Sequence, residues 1–313
     1  MTSDDQPYSG VRIIDLTWWL GPYAGRLFAD LGAEVIRVEP PQGLPDRRQG
    51  GPGNDFDARF VFFNTSKKSV VIDFDVPEGR KAFDRLVSTA QIILLERDGP
   101  LYDAIAELRA VNPRAVITAI SPYGMTGPLA DAPASDLVLQ SAGGIAWMSG
   151  RIEAAPLSLP FGQATMIGSI YAATVTAIAL FDAEENGTGH LIDVSVQEAI
   201  AHSLQNAIQV WDLEQRVSIR GGEGTRDATE DIFACGDGYV FLAAPLSLGT
   251  SWKSLVNWMN EVKHPSGAVL SAERWSDREW RLTRAAREEF REAFTAFTKG
   301  YTKQELEIGR AHV

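Results

Sequence analysis

The stretch from Pro156 to Val196 constrains this chain more than any other. Ile170 to Leu180 holds only Ala, Ile, Val, Thr, Tyr and Leu and no charge, which predicts a helix buried on most sides. The run is far shorter than the roughly 20 apolar residues that cross a bilayer, so it predicts a core helix and no membrane partner. Asp182, Glu184 and Glu185 return it to water, and Asn186-Gly187 supplies a left-handed stop. Leu191 to Val196 then alternates apolar and polar, as a strand with one buried face does.

Upstream, Val11 to Leu16 reads as a buried strand, Trp18 to Tyr23 turns into an amphipathic helix ending near Gly32, and Glu34 to Glu39 is a second strand. A strand, a helix and a strand in that order imply a parallel, right-handed crossover. Gly21-Pro-Tyr-Ala-Gly25 lacks the G-x-G-x-x-G fingerprint, so a dinucleotide reading is weak. Residues 42–59 are rich in Gly, Pro and Arg without a period and read as a loop. The expected large domain, residues 1–215, is α/β with a Rossmann-like, mostly parallel sheet. Its strands are Val11–Leu16, Val35–Val38, Val70–Phe74, Ile92–Leu95, Ala115–Ile120 and Leu191–Val196. Pro77 to Ser88 is a helix with Pro near its first position, and Ser135 caps a helix opened by Asp136.

Near residue 216 the composition shifts. Arg220-Gly-Gly-Glu-Gly224 reads as a linker, 231–242 as a hairpin turning at Gly-Asp-Gly, and Trp252–Val262 and Arg278–Phe297 as amphipathic helices. Residues 216–306 are therefore expected to form a smaller α+β lobe. A net charge of −12 argues against nucleic acid, so an anionic ligand needs a local basic patch. One cysteine, Cys235, and a polar start without an apolar run predict a cytoplasmic protein without a signal peptide. The four histidines lie too far apart in sequence for a metal site.

The Pro156–Val196 stretch resembles the core of the family III CoA-transferases, the CaiB/BaiF family. Pro156, Tyr171, Ala172, Ala173, Leu180, Gly187, Gly189, Asp193, Val194 and Ser195 fall on that family's frame. So do Asp15-Leu-Thr17, Asp30-Leu-Gly-Ala33, Val35 to Pro41, and Tyr123-Gly-Met-Thr-Gly-Pro128. Asn64-Thr-Ser-Lys67-Lys68 is similar to the family's N-x-x-K-R element.

The resemblance implies acyl-CoA:carboxylate CoA transfer, with a coenzyme A thioester and a carboxylic acid as substrates and no metal. An enzyme carboxylate attacks the thioester, forming a mixed anhydride and then an enzyme thioester that passes CoA to the acceptor. It implies Arg37, Asn64, Lys67 and Lys68 beside the CoA nucleotide. The nucleophilic aspartate falls on Thr165 and a following glycine on Ser169, while Glu96-Arg-Asp-Gly-Pro100 shortens a CoA-facing loop. A threonine hydroxyl is not ionised near neutral pH and needs a base. Ser135 stands where the racemase branch has histidine, so that chemistry loses its base too. The readings left open are an active transferase, a non-catalytic subunit paired with an Asp-bearing paralogue, and an incomplete gene product. The family implies an interlocked dimer, as a homodimer or a heteromer with a paralogue. Ile308-Gly-Arg-Ala-His-Val313 resembles a translated sequencing adapter, which predicts a non-native tail on a truncated chain.

Overall fold

Six strands lie parallel in the order β3-β2-β1-β4-β5-β6. They are β1 (Arg12–Asp15), β2 (Glu34–Glu39), β3 (Lys68–Val71), β4 (Ile92–Glu96), β5 (Val116–Ser121) and β6 (Leu191–Ser195). All six expected strands are present. Only β3 is displaced, starting and ending earlier than Val70–Phe74, because an edge strand with exposed side chains carries a weak alternation signal. This computed structural model describes residues 6–48, 57–151, 153–204, 207–220, 226–248 and 250–311. Most of the Arg220–Gly224 linker lies outside them.

The chain divides into two compact units. One is Met1–Ser149 with Pro156–Glu214, and the other is Gly150–Ala155 with Gln215–Val313. In the first unit, alternate residues of each central strand serve opposite faces of the sheet. Ile13, Ile92, Leu94 and Val116 face one core, and Ile14, Ile93, Leu95 and Ile117 face the other. The helices of this unit are α1 (Pro22–Asp30), α2 (Ala58–Asn64), α3 (Pro77–Val87), α4 (Ile105–Val111), α5 (Asp136–Ala142), α6 (Ile145–Met148), α7 (Gln163–Asn186), α8 (Val196–Ser203) and α9 (Ala207–Glu214). Phe83 and Val87 of α3 and Leu108 of α4 close the second core.

The helix α7 has 24 residues, so it is longer than its uncharged run, and by length and composition alone it could cross a bilayer. Its inward side is small: Ala164, Gly168, Ala172, Thr176 and Ala179 are buried. Thr118 of β5 and Thr176 join hydroxyls at 2.6 Å, and Thr176 donates on to the Ala172 carbonyl. These bonds to the central sheet make α7 a core helix. The expectation that most of its sides are buried needs correction. Ile178 and Phe181, on the outward side, are 67% and 70% exposed. Gly187 ends α7 at φ +71°, the left-handed stop expected there.

The second unit holds an antiparallel hairpin, β7 (Asp231–Cys235) with β8 (Gly238–Leu242), apart from the large sheet. Helices α10 (Thr250–Glu261), α11 (Pro265–Leu270), α12 (Arg278–Arg281), α13 (Arg284–Thr298) and α14 (Lys303–Ala311) follow. The single helix expected over Arg278–Phe297 is two, because Thr283 caps α13 by accepting the Ala286 N–H. Arg281 is buried, bonded to both Asp227 oxygens and stacked 4.3 Å over Trp252, rather than lying on a charged surface. The expected foreign tail continues α14 to Ala311, and its last two residues lie outside the described ones.

Candidate active site

In open α/β sheets ligands bind beyond the strands' C-terminal ends, where the strand order reverses. Here that place lies between β1 and β4. Glu96, the last residue of β4, is fully buried there. Its Oε1 accepts the Trp18 and Trp19 N–H groups at 2.8 Å each. Its Oε2 accepts those of Leu20 at 2.7 Å and Gly21 at 2.9 Å. These four consecutive N–H groups belong to the turn that leads into α1, whose cap is Gly21. The chain fills that turn with its own carboxylate. Burial pushes the Glu96 pKa up to about 7, against the pull of the four N–H groups. Sequence reasoning took Glu96 only as the first residue of a shortened loop. The signal it missed was a lone acid closing a wholly apolar strand, Ile92–Leu95.

The expected CoA-facing residues Arg37, Asn64 and Lys67 do come together, but inside the protein. Arg37 donates to Glu39 at 2.8 Å, to the Thr17 carbonyl and Asn64 at 3.0 Å each, and to Asp46 at 2.6 Å. Lys67 donates to Asp15 and the Pro22 carbonyl at 2.7 Å each, and to Asn64 at 3.0 Å. Burial pulls the Lys67 pKa down, with Asp15 opposing. All three ammonium donors are thereby used within the chain. Arg37, Asn64 and Lys67, expected beside the CoA nucleotide, tie the ends of β1, β2 and α2 together. Lys68 differs, being 70% exposed at its side chain and paired at 2.6 Å with Glu34.

Thr165 lies in the first turn of α7, and several bonds fix that turn. Asp136 accepts the Ala164 N–H at 2.9 Å with one oxygen and the Gln140 amide at 2.5 Å with the other. Gln140 also brackets the approaching chain, accepting the Leu159 N–H at 2.7 Å and donating to its carbonyl at 3.0 Å. Ser135 caps α5, as expected, by accepting the Val138 N–H. One turn beyond Thr165, Ser169 donates to the Leu20 carbonyl at 2.8 Å. Thr165 itself is 1% exposed and its hydroxyl has no partner among the described residues. It does not cap the helix, since Asp136 does.

The entry to α7 is conformationally costly. Phe161 holds φ +67° and Gly162 φ +72°, both left-handed. The positive φ favours glycine at 162, and the Arg59 guanidinium lies beside it, 2.7 Å from where a Cβ would stand. Arg59, on α2, has no carboxylate partner among the described residues, and its guanidinium lies 5.8 Å over the Phe63 ring. Beside it Trp18, Trp19, Asp46, Phe60 and Phe63 line a small cleft of about 20 Å³, room for about one water molecule. Among the site's residues, sequence reasoning found Thr165 and missed Arg59, which stands alone in a stretch read as loop.

The family model for CoA-transferase family III matches residues 8–309. The succinyl-CoA:(R)-benzylsuccinate CoA-transferase subunit BbsE of Thauera aromatica is 36% identical over 97% of this chain and 77% of its own length. The succinate–glutarate CoA-transferase of Agrobacterium fabrum is 29% identical over 98% of this chain and 78% of its own. A CaiB/BaiF family crystal structure from Brucella suis superposes with a TM-score of 0.76 at 24% identity, covering 98% of this chain and 82% of that one, and shows the same fold.

Proposed function

This chain belongs to CoA-transferase family III, and from that premise we propose that it serves CoA transfer between an acyl-CoA and a carboxylic acid as the subunit without the nucleophile. The observation that carries this reading is Thr165, a buried hydroxyl with no base bonded to it. The adjacent acid, Asp136, spends both oxygens on Ala164 and Gln140. An alcohol so placed cannot form the mixed anhydride, because it lacks the second oxygen that makes an acyl-carboxylate a good leaving group.

Two further observations support a mixed complex. The Thauera aromatica relative is itself named as a subunit. Apolar side chains stand exposed on each unit, Ile178 and Phe181 on one and Ile232 and Phe241 on the other, as interfaces awaiting a partner do. The partner is a paralogue with aspartate in the Thr165 frame, or a second copy of this chain. The names of the relatives favour succinyl-CoA as donor and a dicarboxylic acid as acceptor. The one cysteine, buried and unpaired, suits a reducing cytoplasm.

Incubation with succinyl-CoA followed by hydroxylamine or borohydride should trap no adduct on the chain alone. Coexpressed with an Asp-bearing paralogue, the complex should turn over and trap the adduct on that aspartate. An adduct on Thr165 of the unmodified chain would end this reading.

A further inference from the structure

We infer that β8 is the docking edge for a second copy of this chain. Two β8 strands pair antiparallel across a two-fold axis at Val240 and join the hairpins of two copies into one four-stranded sheet. The inference rests on the backbone of the second unit and is independent of the transfer chemistry proposed above.

The two edges of the hairpin differ. On β7 the outward carbonyls are taken: Arg291 donates to that of Ile232 at 3.2 Å, and Thr298 to that of Ala234 at 2.7 Å. Residues opposite each other in an antiparallel pair turn their backbone groups toward each other or away together. Ile232 pairs with Phe241 and Ala234 with Tyr239, so the N–H and C=O groups of Tyr239 and Phe241 point away from β7. They have no partner among the described residues. The helix α14 begins at the Gly238 end of the strand, where the Lys303 N–H bonds to Asp237 at 2.8 Å.

An open backbone edge is matched by another extended strand, and β8 itself meets the requirement. It reads Gly-Tyr-Val-Phe-Leu, without charge or proline, so no like charges meet when it faces its own copy. It is already extended, so pairing orders no new segment. With the axis at Val240, Tyr239 lies opposite Phe241 of the partner subunit and exchanges both hydrogen bonds with it. The side chains of Tyr239 and Phe241 are 71% and 63% exposed and share the outer face with Ile232. Pairing sets Ile232, Phe241 and the partner's Tyr239 in one row, an aromatic cross-strand contact of the kind that stabilises sheets. The assembly also closes on itself. The edges left over are the two β7 strands, whose carbonyls Arg291 and Thr298 already hold, so it stops at two copies rather than growing into a fibre.

The test uses the full chain. Val240→Cys places a thiol on the axis, in a non-hydrogen-bonded pair whose Cα atoms lie about 4.5 Å apart, within disulfide reach. Mild oxidation should cross-link it at least about tenfold faster than Ile232→Cys, whose copies lie three strand spacings apart, about 14 Å. The unmodified chain, whose one cysteine is buried, is the control. Phe241→Pro removes an N–H that points away from β7, so the hairpin keeps its own ladder. By sedimentation it should weaken self-association at least about tenfold, with circular dichroism showing that the chain is still folded. An unmodified chain that sediments as a monomer at every concentration overturns the inference. So does Val240→Cys cross-linking no faster than Ile232→Cys. Association through any other surface would survive Phe241→Pro, which overturns this inference and leaves the subunit reading intact. An inactive mixed complex would count against the subunit reading and leave this one standing.

Discussion

Two helix starts at one end of the sheet make opposite use of the same chemistry. At α1 the N–H groups of Trp18 to Gly21 converge on Glu96, a carboxylate the chain supplies from β4. At α7 a neighbouring acid takes one N–H, and a buried hydroxyl is left with no partner among the described residues. Where the chain supplies the acceptor for a whole turn, that turn is structural, and it holds the tryptophan loop in shape. At the second start one acid serves one N–H. The two starts meet where Ser169 donates to the Leu20 carbonyl.

Removing the built-in anion should give the largest effect. Glu96→Ala leaves four buried N–H groups unmatched and should cost about 3–5 kcal/mol, read from the urea midpoint. A loss under about 1 kcal/mol would mean that the two helix starts do not differ as described. The pH dependence comes next. With a folded pKa of about 7 against an ordinary 4.5, Glu96 contributes stability that is complete below the unfolded value and is lost as pH rises through about 7. The contribution is about 3 kcal/mol. Urea midpoints should therefore fall between those pH values, and Glu96→Ala should flatten the difference. Asp46, also pushed up by burial, adds in the same sense, so only the comparison with the variant isolates Glu96.

Asp136→Ala tests the second start. It removes one cap from α7 and should cost about 1 kcal/mol, well below Glu96, because one N–H rather than four loses its acceptor. Calorimetric melting would resolve it, and a cost as large as that of Glu96 would erase the contrast. The smallest change in stability should come from Thr165→Asp, under about 1 kcal/mol. It brings the second start closer to the first, with a side-chain carboxylate beside its unmatched N–H groups. Urea midpoints check it, and a loss as large as that of Glu96→Ala would mean that those N–H groups cannot accept an anion.

Periodicity made the sheet readable. Strands buried on both faces, such as Ile92–Leu95, are continuous apolar runs between turn residues, and all of them lie within two residues of their expected places. Hydrophobicity could not show which side of α7 faces inward, because alanine and isoleucine are both apolar and differ here in size. The charged residues were the hardest to read. Arg37 and Lys67 carry the same sequence signal as solvated surface residues, and their burial depends on ion pairs, Arg37 with Glu39 and Asp46 close by in the chain and Lys67 with Asp15 of the distant β1. Thr165 was legible as a departure from a pattern, but its lack of a partner exists only in three dimensions. Arg59 and Glu96 gave no periodic signal at all.

The hydroxyl contact between Thr118 and Thr176 has a consequence for how α7 finds its roll angle. A cylinder greasy all round has no preferred side by solvation alone. Volume breaks the tie: a half-turn would turn Ile178 and Phe181 toward the sheet in place of a mostly small inward side, and would separate the two hydroxyls. Orientation is thus written in steric bulk and one polar latch rather than in oil against water. That arrangement has a temporal meaning. The bulky side is not used up in building this unit, so it survives folding as exposed apolar surface.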